Sequence, residues 1–453
     1  MKSKRLFHIT TFGCQMNEHD SERMAALLSA DGFSWTEDID KADLVLINSC
    51  TIRKKAEEKA FSQAGRLKEF KKHNPRLRIG FCGCVAQREK ERIFARLPHI
   101  DLVFGTLNIH NISNLVKRLW EKGGKICQVF EDHSSDANQT CSADTNHAPH
   151  ALRSSPIKAW VTIMEGCNNF CTYCVVPYVR GRERSRSPDD IIKEISFLVG
   201  SGRKEVTLLG QNVNSYGKGL NPHMDFAALL YRLSDVPGLE RIRFTTSHPK
   251  DLSNNLILAM RDCENVCEHI HLPMQSGSDL VLKRMGRGYT VEEYLDKVEA
   301  IRKSIPGVAI TGDIICGFPG ETDKDFEETL RIVEDIRFDG LFTFKYSTRP
   351  QTLASRISDQ VPEEVKLERL GRLQSLQNQV SNEINISMIN KIQQILIEGP
   401  SKKDPLKLTG RTRTNKVVNL TGSYDLTGKT VMVRITRAKP FNLEAEVVSE
   451  ITL

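Results

Sequence analysis

The chain has 453 residues, with 64 Lys and Arg against 57 Asp and Glu, for a formal net charge of +7. Hydrophobic residues make up 39% and charged residues 27%, which excludes a disordered chain, and at roughly 150 residues per domain the length allows about three domains. No apolar run approaches the ~20 residues of a membrane span, and MKSKRLFHITTFG enters a strand pattern without the apolar core of a signal peptide, so a cytoplasmic protein is expected.

Taken in chain order, the first part alternates strand and helix. Residues 7–12 read as a strand, 18–30 as a helix with Met24, Leu27 and Leu28 apolar, and 44–47 as a strand of the buried type. A charged helix over 54–72, a strand over 77–81, a helix over 88–97 and a strand over 102–104 follow. Such alternation predicts an open parallel α/β sheet with helices on its faces. Residues 131–155, EDHSSDANQTCSADTNHAPHALRSS, are polar and aperiodic and read as a linker.

Six further strands are predicted over 159–164, 205–209, 241–244, 269–272, 308–315 and 341–346, with helices such as 188–199, 226–233, 291–301 and 325–336 between them. This predicts a whole or partial α/β barrel, with an open sheet as the alternative. Residues 363–390 read as one long, mostly polar helix. From Lys391 short alternating runs with Gly and Pro turns predict a small all-β barrel. The expected division is 4–122, a linker over 123–152, 153–385, and 386–453.

Twelve cysteines stand at 14, 50, 82, 84, 127, 141, 167, 171, 174, 263, 267 and 316. In a cytosolic chain they point to metal binding or catalysis before disulfides. Only Cys167, Cys171 and Cys174 are dense. A structural zinc site takes four ligands, and no fourth Cys or His lies within ten residues of them. Three thiolates suit a [4Fe–4S] cluster with one iron open to a small molecule, placed in the loop after the first barrel strand.

Cys14, Cys50 and Cys84 each follow a predicted strand, in ITTFGCQMN, LVLINSCTIR and RIGFCGCVAQ. The ends of adjacent parallel strands line one crevice, so these three thiols can meet there as a second three-cysteine site, with Gln15, Asn17, Asn48, Ser49 and Thr51 as polar surroundings. Three separately buried structural cysteines are the alternative. Cys82, two residues before Cys84, would share its face in an extended segment. Cys127, Cys141, Cys263, Cys267 and Cys316 are read as bystanders.

The segment EGCNNFCTYC resembles the radical S-adenosylmethionine (SAM) signature, with Tyr173 as its aromatic residue. FGCQMNEHDSE, NSCTIRKKAEEK and GCVAQRE resemble the N-terminal domain of the methylthiotransferases, a family of radical SAM enzymes. The likeness continues through VTIMEGCNNFCTYCVVPYVRGRERSR, HLPMQSGSDLVLKRMGRGYT, DIICGFPGET, KYSTRPQTLASR and a C-terminal module that looks like a TRAM domain. One departure is Gln351, where the family usually has Gly, which is expected to alter a loop and leave the chemistry intact.

The resemblance implies an auxiliary [4Fe–4S] cluster on Cys14, Cys50 and Cys84 and a radical SAM cluster on Cys167, Cys171 and Cys174. It implies SAM contacts at Tyr173, Gly210, Gln211, Asn212 and Gly317. One SAM would methylate a sulfur held at the auxiliary cluster, and a second would yield the radical that opens the C2 position of adenine. The form FGCQMN around Cys14 looks like the branch that modifies N6-isopentenyladenosine (dimethylallyladenosine) beside the tRNA anticodon. Sister branches act on N6-threonylcarbamoyladenosine or on a ribosomal protein aspartate. A non-catalytic iron–sulfur RNA-binding protein is the rival from another class.

Residues 391–453 hold 11 Lys and Arg against 6 Asp and Glu, so most of the excess charge lies in the last module. Arg411, Arg413, Lys416, Arg434, Arg437 and Lys439 are candidates for a phosphate backbone, with a solvated surface as the plainer alternative. Arg180, Arg182, Arg184 and Arg186 recur every second residue after the radical motif, either to hold RNA or to pair inside the fold. The partners expected are tRNA, an electron donor and a sulfur donor, with no membrane, and a monomer is expected.

Overall fold

The computed structural model describes residues 5–130 and 155–450. It divides into two compact units, one of Met1–Asn168, Val175–Glu194 and Leu209–Gln211, the other of Asn169–Cys174, Ile195–Leu208 and Asn212–Leu453. The linker residues 131–154, with Cys141, lie outside the described residues.

The first unit begins with β1 (Leu6–Phe12), α1 (Gln15–Ala30), β2 (Ser34–Trp35), β3 (Leu44–Ser49), α2 (Lys54–His73) and β4 (Arg78–Gly83). It continues with α3 (Cys84–Glu89), α4 (Arg92–Arg96), β5 (Leu102–Phe104), α5 (Ile112–Lys122) and β6 (Ile126–Gln128). The strands form one parallel sheet in the order β2-β1-β3-β4-β5-β6. β3 is buried along its whole length, as a central parallel strand requires.

Alternate β3 residues feed opposite cores. Val45 and Ile47 pack with Ala60, Phe61, Ala64 and Leu67 of α2. Leu44 and Leu46 pack with Met24, Ala25 and Leu28 of α1 and with Leu115 and Leu119 of α5. The helix expected over 88–97 is split in two, because Lys90 turns the chain with a φ of 52°. The unit also holds β7 (Lys158–Thr162), β8 (Met164–Glu165), α6 (Val176–Arg180) and β9 (Arg184–Ser185).

α7 (Pro188–Gly200) leads to β10 (Glu205–Leu209), α8 (Phe226–Ser234), β11 (Arg241–Thr245), α9 (Asn254–Asp262) and β12 (His269–His271). Then come α10 (Asp279–Met285), α11 (Val291–Ser304), β13 (Ala309–Cys316), α12 (Asp323–Ile336), β14 (Gly340–Lys345) and α13 (Glu363–Ile386). All six strands predicted after the linker are present. β10 neighbours β11, a parallel bridge joins Ile242 to Val266 ahead of β12, and β12-β13-β14 are parallel, so the strands follow chain order as in a partial barrel. Gln351 adopts a φ of 74°, the left-handed conformation that glycine takes freely and that explains the family's usual residue there.

The last module is a closed barrel of β15 (Ile392–Pro400), β16 (Leu408–Thr412), β17 (Val417–Leu420), β18 (Thr430–Lys439) and β19 (Asn442–Glu450), in the order β15-β16-β17-β19-β18. Ile395, Ile397, Val418, Val431, Val433, Ile435 and Leu443 fill it. It is fastened to the strands of its own unit through buried arginines. Arg241 donates to the Arg411 carbonyl at 2.7 Å, and Arg243 donates to the Thr412 and Arg413 carbonyls, each at 2.8 Å.

Arg243 Nε also stands 3.0 Å from Glu205, with side-chain exposures of 6% and 3%. Replacing Arg243 by Met strands a buried carboxylate and two carbonyls. Chemical denaturation should then show a loss of about 3–5 kcal/mol.

Candidate functional site

The ends of β1, β3 and β4 lie level in the sheet: Phe12 pairs with Ser49, and Ser49 with Gly83. Each strand then delivers a cysteine. Cys14 is the N-cap of α1, Cys50 follows β3 directly, and Cys84 opens α3. Level ends therefore turn a wide spacing in sequence into one site.

Gly83 makes the third turn possible. It has a φ of 90°, and a Cβ there would lie 2.2 Å from Asn48 Oδ1 and 2.8 Å from the Ser49 carbonyl. Because the strand ends at Gly83, Cys82 does not share a face with Cys84. It sits in the core, with its thiol 3.9 Å from Met24 Sδ.

Buried amides brace the site. Asn17 Nδ2 donates to Asn48 Oδ1 at 3.2 Å, and Asn48 Nδ2 donates to the Asn17 carbonyl at 2.8 Å and to Ser21 Oγ at 2.9 Å. The Cys50 thiol donates to Cys14, which with nearby Arg180 and the backbone N–H groups of Asn17 and Met16 brings the Cys14 thiol down to about 6 against the pull of burial. Burial, partly offset by Arg180, pushes the Cys84 thiol up.

Arg180 is buried at the end of α6, where its Nη2 donates to Asp20 Oδ2 at 2.6 Å. Of the others in its series, Arg186 is buried and pairs with Glu194 at 2.7 Å, Arg184 is half-buried and acts electrostatically on Glu165, and Arg182 is exposed. α1 is polar by sequence yet largely buried, because Arg23 pairs with Glu165 at 2.9 Å and the His19 ring meets Thr162 Oγ1 at 2.9 Å.

Three converging thiols beside a fixed cation fit a cluster held by three thiolates. Among the described residues no three Cys, His, Asp or Glu close on one point as a single ion needs, and a cubane, bound at separate corners, does not ask it of them.

The radical motif is described within each unit. In the first, Gly166 (φ 79°) donates its N–H to Gln211 Oε1 at 2.5 Å, and the Cys167 N–H donates to the Gly181 carbonyl at 3.2 Å. In the second, the Cys174 N–H donates to the Cys171 carbonyl at 2.9 Å. Arg287, from the MGRGYT stretch, donates to Cys171 Sγ at 3.3 Å, to Tyr173 Oη at 3.4 Å and to the Pro273 carbonyl at 2.9 Å. The Tyr173 ring packs on Val281, Met285, Phe318 and Tyr346, and burial pushes its phenol well up.

Asn212 donates to Asp251 at 2.8 Å. Asn212 Oδ1, Ser247 Oγ, His248 Nε2 and Gln275 Oε1 are buried beyond the ends of β10, β11 and β12 without a hydrogen-bond partner among the described residues. Such groups fit a polar ligand like SAM. Gly210 is buried directly after β10. At Gly317 (φ 69°) a Cβ would come within 2.3 Å of Lys366 Cγ. Cys316 packs, its thiol donating to the Phe344 carbonyl at 3.4 Å.

Of the cations in the last barrel, Arg411 pairs with Glu398 at 3.2 Å, Arg413 grips Glu268 at 2.7 Å, and Lys416 meets Asp339 at 2.9 Å. Arg434 and Arg437 project from β18 into solvent, and Lys439 pairs with Glu444. Sequence reasoning did not single out Arg287, Ser247, His248 or Gln275. The signal for Gln275 is a non-glycine residue with a φ of 77°, visible only in three dimensions.

Comparison with known proteins agrees with this architecture. Residues 6–105 match Uncharacterized protein family UPF0004, 161–333 the Radical SAM superfamily and 387–448 the TRAM domain. Proteins named tRNA-2-methylthio-N(6)-dimethylallyladenosine synthase are similar along nearly the whole chain. The one from Acetivibrio thermocellus is 49% identical over 98% of this chain and 91% of its own. That from Carboxydothermus hydrogenoformans is 49% identical over 98% and 100%, and that from Thermoanaerobacter sp. 50% over 99% and 94%.

Among solved structures, the radical S-adenosylmethionine methyltransferase TsrM from Kitasatospora setae matches with a TM-score of 0.57 at 12% identity, over 78% of this chain and 75% of that one. The cobalamin-dependent S-adenosylmethionine radical enzyme OxsB gives 0.53 at 14% identity, over 82% and 56%. These two speak for the fold alone. With about half its residues identical to the synthases of Acetivibrio thermocellus, Carboxydothermus hydrogenoformans and Thermoanaerobacter sp. along nearly its whole length, the chain belongs to the tRNA-2-methylthio-N(6)-dimethylallyladenosine synthase family of radical SAM proteins.

Proposed function

We propose that this protein converts N6-dimethylallyladenosine at position 37, beside the tRNA anticodon, to its 2-methylthio derivative. The near-full-length identity to synthases of that name carries the reading. It is supported by two separate cysteine triads, which a non-catalytic RNA-binding protein has no need of.

Cys14, Cys50 and Cys84 would hold an auxiliary [4Fe–4S] cluster, and Cys167, Cys171 and Cys174 the radical SAM cluster. When bound, the clusters and SAM supply a transferable sulfur and a carbon radical able to take hydrogen from an unactivated C–H bond, which ordinary side chains cannot do. The chain's own residues position and shield. Arg287 sets a cation against Cys171 and clamps the Tyr173 ring. Gln211 anchors the turn ahead of Cys167. Asn212 and Gly317 would shape the SAM pocket within the second unit, and Ser247, His248 and Gln275 offer it unspent polar atoms.

Arg434 and Arg437 face the tRNA backbone, while Arg411, Arg413 and Lys416 are held by Glu398, Glu268 and Asp339 and would reach RNA only by giving up those partners. Residues 4–122 form the auxiliary-cluster domain, 153–385 the radical SAM core and 386–453 the tRNA-binding TRAM domain, joined through 123–152. The enzyme would work as a cytoplasmic monomer with an external electron donor and sulfur donor.

Nucleoside mass spectrometry of tRNA from a strain lacking its own synthase tests the reading. Supplying this chain should convert the isopentenyladenosine peak to its methylthio form. Appearance of a methylthio form of threonylcarbamoyladenosine instead would move the protein to a sister branch.

A further inference from the structure

The turn Arg180–Gly181 touches both cysteine sites within the first unit. The Arg180 side chain lies against the auxiliary triad: it hydrogen-bonds Cys84 and acts electrostatically on Cys14. The next residue accepts the backbone N–H of Cys167 at 3.2 Å. Arg180 is 5% exposed, and its Nη2 donates to the carboxylate of Asp20, itself 1% exposed, at 2.6 Å. A buried guanidinium stays charged and weakly hydrated, and removing it would take away the hydrogen-bonded counter-charge of a buried Asp20 whose field reaches Cys84.

We infer that Arg180 is the positioning residue of the auxiliary cluster: its charge, trimmed by Asp20, sets how readily that cluster takes an electron, while its turn fixes the Cys167 backbone. This rests on the proposed cluster at Cys14, Cys50 and Cys84. Reduction adds one negative charge to a cluster, so a neighbouring cation favours it and a neighbouring carboxylate opposes it. The two partners of one ion pair therefore have opposite effects, which a packing role does not produce.

The test uses the full chain carrying Cys167→Ala, Cys171→Ala and Cys174→Ala, so that only the auxiliary cluster remains. Reconstituted iron should be about four per chain; none would sink the cluster assignment itself, and this inference with it. The reduction potential is then followed by electron paramagnetic resonance during redox titration. Arg180→Met should lower the potential, Asp20→Asn should raise it, and Arg180→Lys should return it toward the parent value.

If Arg180→Met loses its iron while Arg180→Lys keeps it, with both natively folded by circular dichroism, the charge is still the deciding property. Equal potentials in all variants, shifts of one sign for Arg180→Met and Asp20→Asn, or equal iron loss in the Met and Lys variants would overturn the inference.

Discussion

Replacing Cys14, Cys50 and Cys84 together by alanine is expected to halve the iron bound after anaerobic reconstitution, from about eight to about four per chain, while SAM is still cleaved. The three thiols arise from three level strand ends of one sheet, and Cys167, Cys171 and Cys174 belong to a separate loop. Removing the first triad therefore leaves the second set of ligands whole. Methylthiolated tRNA should fall below detection, and the substrate adenosine should remain unmodified at C2. Iron and sulfide analysis, 5′-deoxyadenosine release and nucleoside mass spectrometry read the three quantities independently. Loss of SAM cleavage with about four irons retained would show that the labour is not divided between the triads as proposed.

Gly83→Ala should damage the auxiliary site severely while leaving every cysteine in place. Gly83 combines a φ of 90° with a ψ of −159°, a region open essentially to glycine alone. The new methyl would meet Asn48 Oδ1 at 2.2 Å and the Ser49 carbonyl at 2.8 Å. Neither neighbour yields cheaply: one belongs to the buried amide network with Asn17 and Ser21, the other is backbone of β3. Backbone strain and a disturbed buried hydrogen bond each cost about 1–3 kcal/mol, so denaturant unfolding should register a loss of about 3 kcal/mol or more. Because Gly83 aims Cys84, iron at the auxiliary site should fall with it. Unchanged stability and unchanged iron would mean that the β4–α3 turn does not position the cluster ligand.

Much of the architecture was written in local pattern. Alternating strand and helix before residue 130, six strands after the linker and the short β runs from Lys391 all have periods of a few residues, and each is present. Departures occur where a single backbone angle or a short element decides, as at Lys90, which splits a helix, and at α5 and β6, which the reading did not anticipate.

The cysteines show the same boundary. Cys167, Cys171 and Cys174 lie within eight residues, so their spacing alone suggests one cluster, and their resemblance to a family signature supplies the chemistry. Cys14, Cys50 and Cys84 needed the further idea that parallel strand ends lie level, and their distinction from Cys82 needed the turn at Gly83. Arg180 reads in sequence as one of four alternating arginines, and its partner Asp20 is 160 residues away. Arg413 and Lys416 read as free cations for RNA, yet Glu268 and Asp339 occupy them. Charge type, period and short spacing are properties of neighbouring residues; they sufficed for fold class and for a three-thiolate motif, and the resemblance of longer segments supplied the family. Which charges are buried, paired or left to meet a ligand depends on desolvation and on distances across the folded chain, and these arise only when remote segments pack together.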